Sequence, residues 1–168
     1  MAKAKDIPGL SATESYGETA AKVVATRAGE LTEQARGVLD TSDIERVHDM
    51  RVATRRLRAA LEVFEPCFPR KAHERALRAV TELADGLGER RDRDVAIETL
   101  RAFNEKMPAP DRRGIESLIS TLREEQFEAN LALAPLVDDG SLGELGAGIE
   151  QLIESAKGGG DGRNGGGE

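Results

Sequence analysis

The chain has 168 residues, and its 24 Lys and Arg against 31 Asp and Glu leave a formal net charge of −7. This length suits one domain with a single buried core, and the acidic balance excludes a protein that coats nucleic acid or an anionic membrane by bulk charge. Aromatic residues make up only 3% of the chain and Trp is absent. The core must therefore be built from Leu, Val, Ile and Ala, which favours an all-α fold over a β-sandwich.

Neither the cysteine content nor the hydropathy points to an exported or membrane protein. The single cysteine, Cys67, cannot form an intrachain disulfide, and the His and Cys residues lack the spacing of zinc ligands. The N-terminus lacks the apolar run of a signal peptide, and no run of about 18 apolar residues, the least that a membrane span needs, occurs. We expect a cytoplasmic chain that contacts no membrane and needs no cofactor or metal.

Apolar residues recur at helical spacing along most of the chain and predict an antiparallel bundle of five to six helices. Residues 1–10 are expected to form a flexible N-terminus and residues 11–154 the helical domain. Residues 155–168, in which glycine predominates, are expected to form a disordered tail.

Proline and glycine set most of the predicted helix ends. Pro66 stops the second helix, the segment Gly86-Leu87-Gly88 separates the third from the fourth, and Pro108 and Pro135 stop the fourth and fifth. The predicted first, second, third, fifth and sixth helices cover about residues 13–39, 43–64, 70–87, 111–133 and 142–153. Residues 88–95 begin the fourth helix, which Val95, Leu100 and Phe103 mark.

Three Ser-x-x-Glu segments have the pattern of a capping box, in which a serine and a glutamate satisfy the first backbone N–H groups of a helix. They predict that the first, second and sixth helices begin near Ser11, Ser42 and Ser141.

The second predicted helix carries the strongest local charge. Residues 46–58 contain five Arg and one Asp, a local charge of +4 in a chain whose remainder carries −11. At about 100° per residue, four of its basic side chains fall within an arc of roughly 80°, opposite the apolar residues. These four residues, called the cation strip below, are His48, Arg51, Arg55 and Arg58.

An arginine-rich helix is more often a solvated face held together by ion pairs one turn apart than a ligand site. Of the four arginines between residues 51 and 58, only Arg58 has an acid, Glu62, at such a spacing. Two interpretations remain open: carboxylates on another helix compensate the charge, or a bound polyanion does.

A second charged cluster spans residues 88–95. Its Asp92 and Asp94 could hold a divalent ion, but we favour the interpretation that they orient arginines of the second helix, with Arg91 adding to the strip. His73 lies out of phase with the strip among charged residues and is predicted to be a surface residue without a role. Because no nucleophile lies beside a base and no phosphate-binding glycine loop occurs, the sequence predicts no catalysis.

At these two clusters the sequence resembles the CHAD domain family, whose name refers to a conserved histidine that His48 matches. The resemblance rests on residues 48–58 with their continuation to residue 64, and on residues 87–95. It covers about residues 12–137, outside which the tail lies.

Members of this family are all-helical and bind inorganic polyphosphate in a basic cavity between two related bundles; some localise to polyphosphate granules, and some are fused to a triphosphate-cleaving domain. This chain resembles only the first of the two bundles, so a homodimer or another protein would complete the cavity. The resemblance adds Lys22, Arg27 and Arg78 as further candidates. The phosphate-contacting positions that it implies are His48, Arg51, Arg55, Arg56, Arg58 and Arg91.

We therefore expect non-enzymatic binding of inorganic polyphosphate, with granule association implied by the family. One alternative is the binding of nucleic acid or nucleotide phosphates, against which the scarcity of aromatic residues argues. Another is a metal-dependent phosphohydrolase that uses Asp92 and Asp94. On the fifth helix, Phe127 and Leu131 lie off the main apolar stripe, which includes Leu118, and together with the apolar positions of the sixth helix they predict a homodimer contact.

Overall fold

The computed structural model describes residues 3–158, and that part of the chain contains five α-helices and no strand. The predicted all-α class is confirmed. Within the same range, no helix is both long enough and apolar enough to cross a membrane. The helices are α1 (Tyr16–Ala35), α2 (Ile44–Val63), α3 (Arg70–Glu105), α4 (Arg112–Leu133) and α5 (Asp139–Gly158).

Four helices enclose the main core. α1 packs against α2 and α5, and the first half of α3 packs against the same two helices. The side chains at the centre of this bundle come from all four and include Val24, Met50, Leu57, Val80 and Leu152.

The second half of α3, residues 87–105, pairs with α4, and beyond Arg91, which contacts the beginning of α2, it extends past the bundle. We call these two segments the α3–α4 hairpin. α4 fully buries only Ile119 and Leu133, whereas Leu118, predicted on the apolar stripe, is exposed. Phe103 of α3 is exposed as well. A two-helix hairpin covers only one side of each helix, which explains why these apolar residues have no cover.

The predicted break between a third and a fourth helix is wrong, because α3 continues for 36 residues through both glycines. A Cβ at Gly86 would lie 3.1 Å from Cδ1 of Leu136 and 3.3 Å from Cδ1 of Leu133. Glycine at this position therefore lets the end of α4 approach α3. The cost of about 1 kcal/mol for a glycine inside a helix is offset by packing that the sequence does not reveal.

None of the three predicted capping boxes forms. Ser11 precedes the first helix, α2 begins after Asp43 without a side-chain cap, and Ser141 lies inside α5. The capping box that does form uses Ser15 and Glu18: the Ser15 hydroxyl accepts from the Glu18 N–H at 3.2 Å, and the Glu18 carboxylate accepts from the Ser15 N–H at 2.7 Å. The same pattern is present at this position in the sequence, immediately before the first buried residues.

α5 is longer than predicted, and residues 155–158, expected in the tail, belong to it. Ala156 is buried against α1, where a Cβ at Gly17 would collide with the Ala156 carbonyl oxygen. The glycine therefore allows the two backbones to touch. The rest of the predicted tail, residues 159–168, lies outside the described residues.

The segment before α1, for which the sequence predicts flexibility, lies along that helix from residue 3 onward. The backbone N–H of Lys5 donates to Oε1 of Glu30 at 2.5 Å, and its carbonyl accepts from Arg27 at 3.0 Å. Nζ of Lys22 donates to the Gly9 carbonyl at 2.5 Å. Lys22 and Arg27 are thereby engaged in holding this segment to α1.

Candidate functional site

The cation strip lies on α2 because its apolar residues fix which side of the helix enters the core. Val47, Met50, Leu57 and Leu61 are fully buried. The opposite side is left at the surface, where Arg55 is exposed and the other members of the strip are partly exposed. The predicted separation of an apolar side from a basic side is confirmed.

The strip runs along the edge of α2 that faces α3. An ideal Cβ placed on Gly88 of α3 would lie 3.9 Å from Nε of Arg51. The second charged cluster therefore contacts the strip at Gly88. Because this residue has no side chain, the Arg51 guanidinium lies beside the α3 backbone.

Two arginines of the strip have no acidic partner among residues 3–158. The side chains of Arg51 and Arg55 form no hydrogen bond or ion pair with any residue between 3 and 158, and neither does the His48 ring. Arg58 does have a partner: its Nε lies 2.9 Å from Oε1 of Glu62, the contact predicted from the sequence. Like charges one turn apart repel each other. The repulsion between Arg51 and Arg55 therefore lowers the stability of the folded protein in the absence of a ligand.

Arg56 lies on a different side of α2 from the strip. Its Nη1 is 4.0 Å from Oε2 of Glu30 on α1, a carboxylate that is almost fully buried. Oε1 of Glu30 accepts from Arg27 at 2.8 Å. The structure thus places Arg56 in the contact between α1 and α2 rather than beside Arg55.

Arg91 joins α3 to the beginning of α2. Its Nη1 donates to the Ile44 carbonyl at 3.1 Å, and its Nη2 lies 3.5 Å from Oε1 of Glu45. The Arg91 side chain is only 15% exposed. Arg91 therefore lies about one turn from His48, where it fixes the end of the helix that carries the strip.

The second cluster contains a fully buried ion pair. Nη1 of Arg90 donates to Oδ2 of Asp94, and both side chains are inaccessible to solvent. Nε2 of Gln126 on α4 donates to Oδ1 of Asp94 at 2.5 Å. Burial raises the pKa of Asp94 above the ordinary carboxyl value. The expectation that Asp94 orients arginines of α2 is wrong, because its partners are on α3 and α4.

Sequence reasoning missed Arg90, since a charged residue is rarely fully buried. One signal was available: Arg90 and Asp94 are four residues apart and continue the apolar stripe of Leu83 and Leu87. Opposite charges at that spacing can enter a core as a pair.

Asp92 does not share a site with Asp94. It is exposed, and at about 100° per residue the two carboxylates point about 160° apart around α3. Residues 3–158 contain no group of three or more His, Cys, Asp or Glu side chains arranged to hold a metal ion. The Asp-x-Asp pattern therefore does not form a joint pair of ligands.

His73 is buried, contrary to the prediction of a surface residue. Its Nε2 donates to the Leu61 carbonyl at 2.9 Å, and its ring stacks on Phe68 with 5.9 Å between centroids. Leu61 is in the last turn of α2, where carbonyl groups lack partners within the helix. The tight turn between α2 and α3 brings the histidine to this carbonyl, a contact that helical phase alone does not predict.

Comparisons with known proteins agree with the sequence resemblance. Among curated proteins there is no match. A family model described as the CHAD domain matches residues 22–164. This match includes both charged clusters and extends past the region of resemblance to take in α5. The chain therefore belongs to the CHAD domain family.

Proposed function

We propose that this chain binds inorganic polyphosphate through the cation strip and does not hydrolyse it. The observation that carries the proposal is the pair Arg51 and Arg55, two aligned guanidinium groups without an acidic partner in the described part of a chain of net charge −7. Guanidinium groups donate two parallel hydrogen bonds to phosphate oxygens. Membership of the CHAD family, which is associated with polyphosphate binding, supports this ligand.

The six implied residues take different parts in this proposal. Arg51 and Arg55 contact phosphate directly, with His48 beside them, and Arg58 joins them by exchanging Glu62 for a phosphate oxygen. Arg91 and Arg56 act as positioning residues, because their contacts hold α2 to α3 and to α1. A repulsive pair held in place by its neighbours is ready for an anionic ligand, since binding relieves the repulsion.

The placement of the aromatic residues favours polyphosphate over nucleic acid. Tyr16, Phe103 and Phe127 are exposed, but the two Phe residues lie on the α3–α4 hairpin, and Tyr16 is on α1, where its ring packs against Phe64. The strip itself contains only charged and imidazole side chains. Single-stranded nucleic acids gain much of their affinity from base stacking on aromatic rings, which polyphosphate does not need.

The test is a competition titration of polyphosphate against single-stranded DNA of equal charge. We expect polyphosphate to win, with log affinity falling against log salt at a slope of about −3, from four contacts at about 0.7 each. Phosphate release is measured in the same samples with and without Mg²⁺. Equal binding of DNA would contradict the ligand, and phosphate release would contradict the absence of hydrolysis.

We infer that a second copy of the chain supplies a second cation strip and so completes the site. Phe127 and Leu131 of α4 are 62% and 58% exposed, which supports their use as an apolar contact. A twofold dimer through these residues presents two cation strips to one ligand. Light scattering at micromolar concentration is expected to show a dimer, and Phe127→Glu with Leu131→Glu a monomer. A wild-type monomer with and without polyphosphate would rule this assembly out.

A further inference from the structure

A second group of cations lies on the first half of α3, between the two charged clusters, and includes Arg78, already one of the further candidates. Lys71, Arg75 and Arg78 are exposed and line one surface depression with Glu74. None of the three forms a hydrogen bond or ion pair with a residue in the range 3–158. Glu74 is already held by Arg70 at 2.8 Å. This group, the α3 cation cluster, is thus a local excess of positive charge on an acidic chain.

The register between α2 and α3 brings this cluster next to the strip. The two helices run antiparallel. Two contacts between them therefore show which α3 residue lies beside any α2 residue between those contacts. Interpolation places Arg58 within about one turn of Arg78. The two contacts are Leu61 carbonyl to His73 Nε2, at 2.9 Å, and Arg51 beside Gly88.

The helical phases of the two groups also agree. On α2, Arg58 lies about 20° from Arg51, which faces Gly88 of α3. On α3, Arg78 lies about 80° from Gly88 toward solvent, and Lys71 and Arg75 follow a further 20° and 60° around the helix. The α3 cation cluster therefore lies next to the cation strip, on the other side of the contact between the two helices.

We propose that the α3 cation cluster extends the polyphosphate site into one track, so that the chain distinguishes long from short polyphosphates. This inference rests on the proposed function. The strip rises about 15 Å along α2 and the cluster about 10 Å along α3. A short chain occupies the strip alone. A long chain bound there has its remaining phosphates beside the cluster, and this second contact is intramolecular.

The experiment measures affinity over a range of salt for tripolyphosphate and for a chain of several tens of phosphates. The test variant is Lys71→Ala, Arg75→Ala, Arg78→Ala. The matched control, Arg101→Ala, Arg113→Ala, Arg123→Ala, removes the same charge from exposed cations of the α3–α4 hairpin, which likewise have no ion pair with a described residue. Thermal midpoints check that both variants fold.

In the wild type, the salt slope for the long chain is expected to be steeper than for tripolyphosphate by about 2, from three further contacts at about 0.7 each. The test variant should lose this difference and bind the long chain at least about tenfold more weakly, with tripolyphosphate affinity changed less than about twofold. The control should keep the difference.

Three results overturn the inference. If the test variant binds the long chain as the wild type does, the track does not exist and the proposed function stands. If the control variant loses as much affinity as the test variant, the effect is that of net charge alone. If the wild type binds neither chain, the proposed function itself fails.

Discussion

Both charged segments of this protein contain several arginines, but these arginines lie in opposite environments. On α2, Arg51 and Arg55 lie at the surface without an acidic partner in the described chain. On α3, Arg90 is inaccessible to solvent and bound to Asp94. The difference shows that arginine content does not identify a ligand site; the phase of the arginine relative to the apolar stripe does.

The physical reason is the cost of burying charge. Two cations one turn apart cannot both leave water, so Arg51 and Arg55 fit only a surface. Arg90 and Asp94 have the same spacing but opposite charges, and they share the side of α3 that carries Leu87. As a hydrogen-bonded pair they can enter the core, where Gln126 joins α4 to them.

The largest expected effect comes from breaking the buried pair. Asp94→Ala leaves the Arg90 guanidinium buried without its counter-charge and is expected to reduce the free energy of unfolding by about 3–5 kcal/mol. Urea denaturation measures it. The double variant Arg90→Met, Asp94→Leu removes both charges and should be less destabilised than the single variant. A single variant within about 1 kcal/mol of the wild type would show that the pair does not stabilise the core.

On α2, we expect substitution of Arg51 and Arg55 to reduce ligand affinity and to leave the stability of the fold intact. Arg51→Ala with Arg55→Ala removes two cations that have no acidic partner in the described range, so we expect polyphosphate affinity to fall by about tenfold to a hundredfold. The thermal midpoint should not fall, because the repulsion between them is also removed. Titration and thermal melting on the same sample check both. A destabilised variant with unchanged affinity would assign these arginines to the fold.

Arg56 and Arg55 allow a structural arginine and a ligand-binding arginine to be compared on the same helix. Arg56→Ala leaves the buried Glu30 carboxylate with less compensation and should reduce the free energy of unfolding by about 1–2 kcal/mol. Polyphosphate affinity should change less than about threefold, since Arg56 lies on the side toward α1. Arg55→Ala is the matched control, with the reverse pattern expected. A large loss of affinity in Arg56→Ala alone would return Arg56 to the ligand site.

The smallest effect is a pH dependence. Because burial raises the pKa of Asp94, the folded state holds this proton more tightly than the unfolded state does. The stabilisation from Asp94 is therefore complete below its unfolded value near 3.8 and declines as the pH rises through the folded pKa. The stability of the wild type relative to Asp94→Asn should fall over that range. Urea denaturation at several pH values measures it, and a constant difference would contradict the assigned shift.

The sequence predicted best the helices whose apolar stripe and ends agree. α2 and α4 begin and end within one residue of the predicted bounds, since Pro66 and Pro135 follow them closely. The cation strip followed from the same periodicity. Local rules failed where a distant contact changed the meaning of a residue, as at Gly86, where glycine serves the approach of α4 and does not break the helix.

The candidate site divides in the same way. The sequence alone determined that Arg51, Arg55 and Arg58 share one face, because the helical repeat fixes angles along a single helix. The same repeat places Arg56 on another side of α2, but only the tertiary structure gave Arg56 and Arg91 their partners, since Glu30 and Ile44 come from other parts of the chain. Periodicity states which residues lie together on one helix. Which helix covers each face, and which charges meet there, is decided by packing between segments far apart in the sequence.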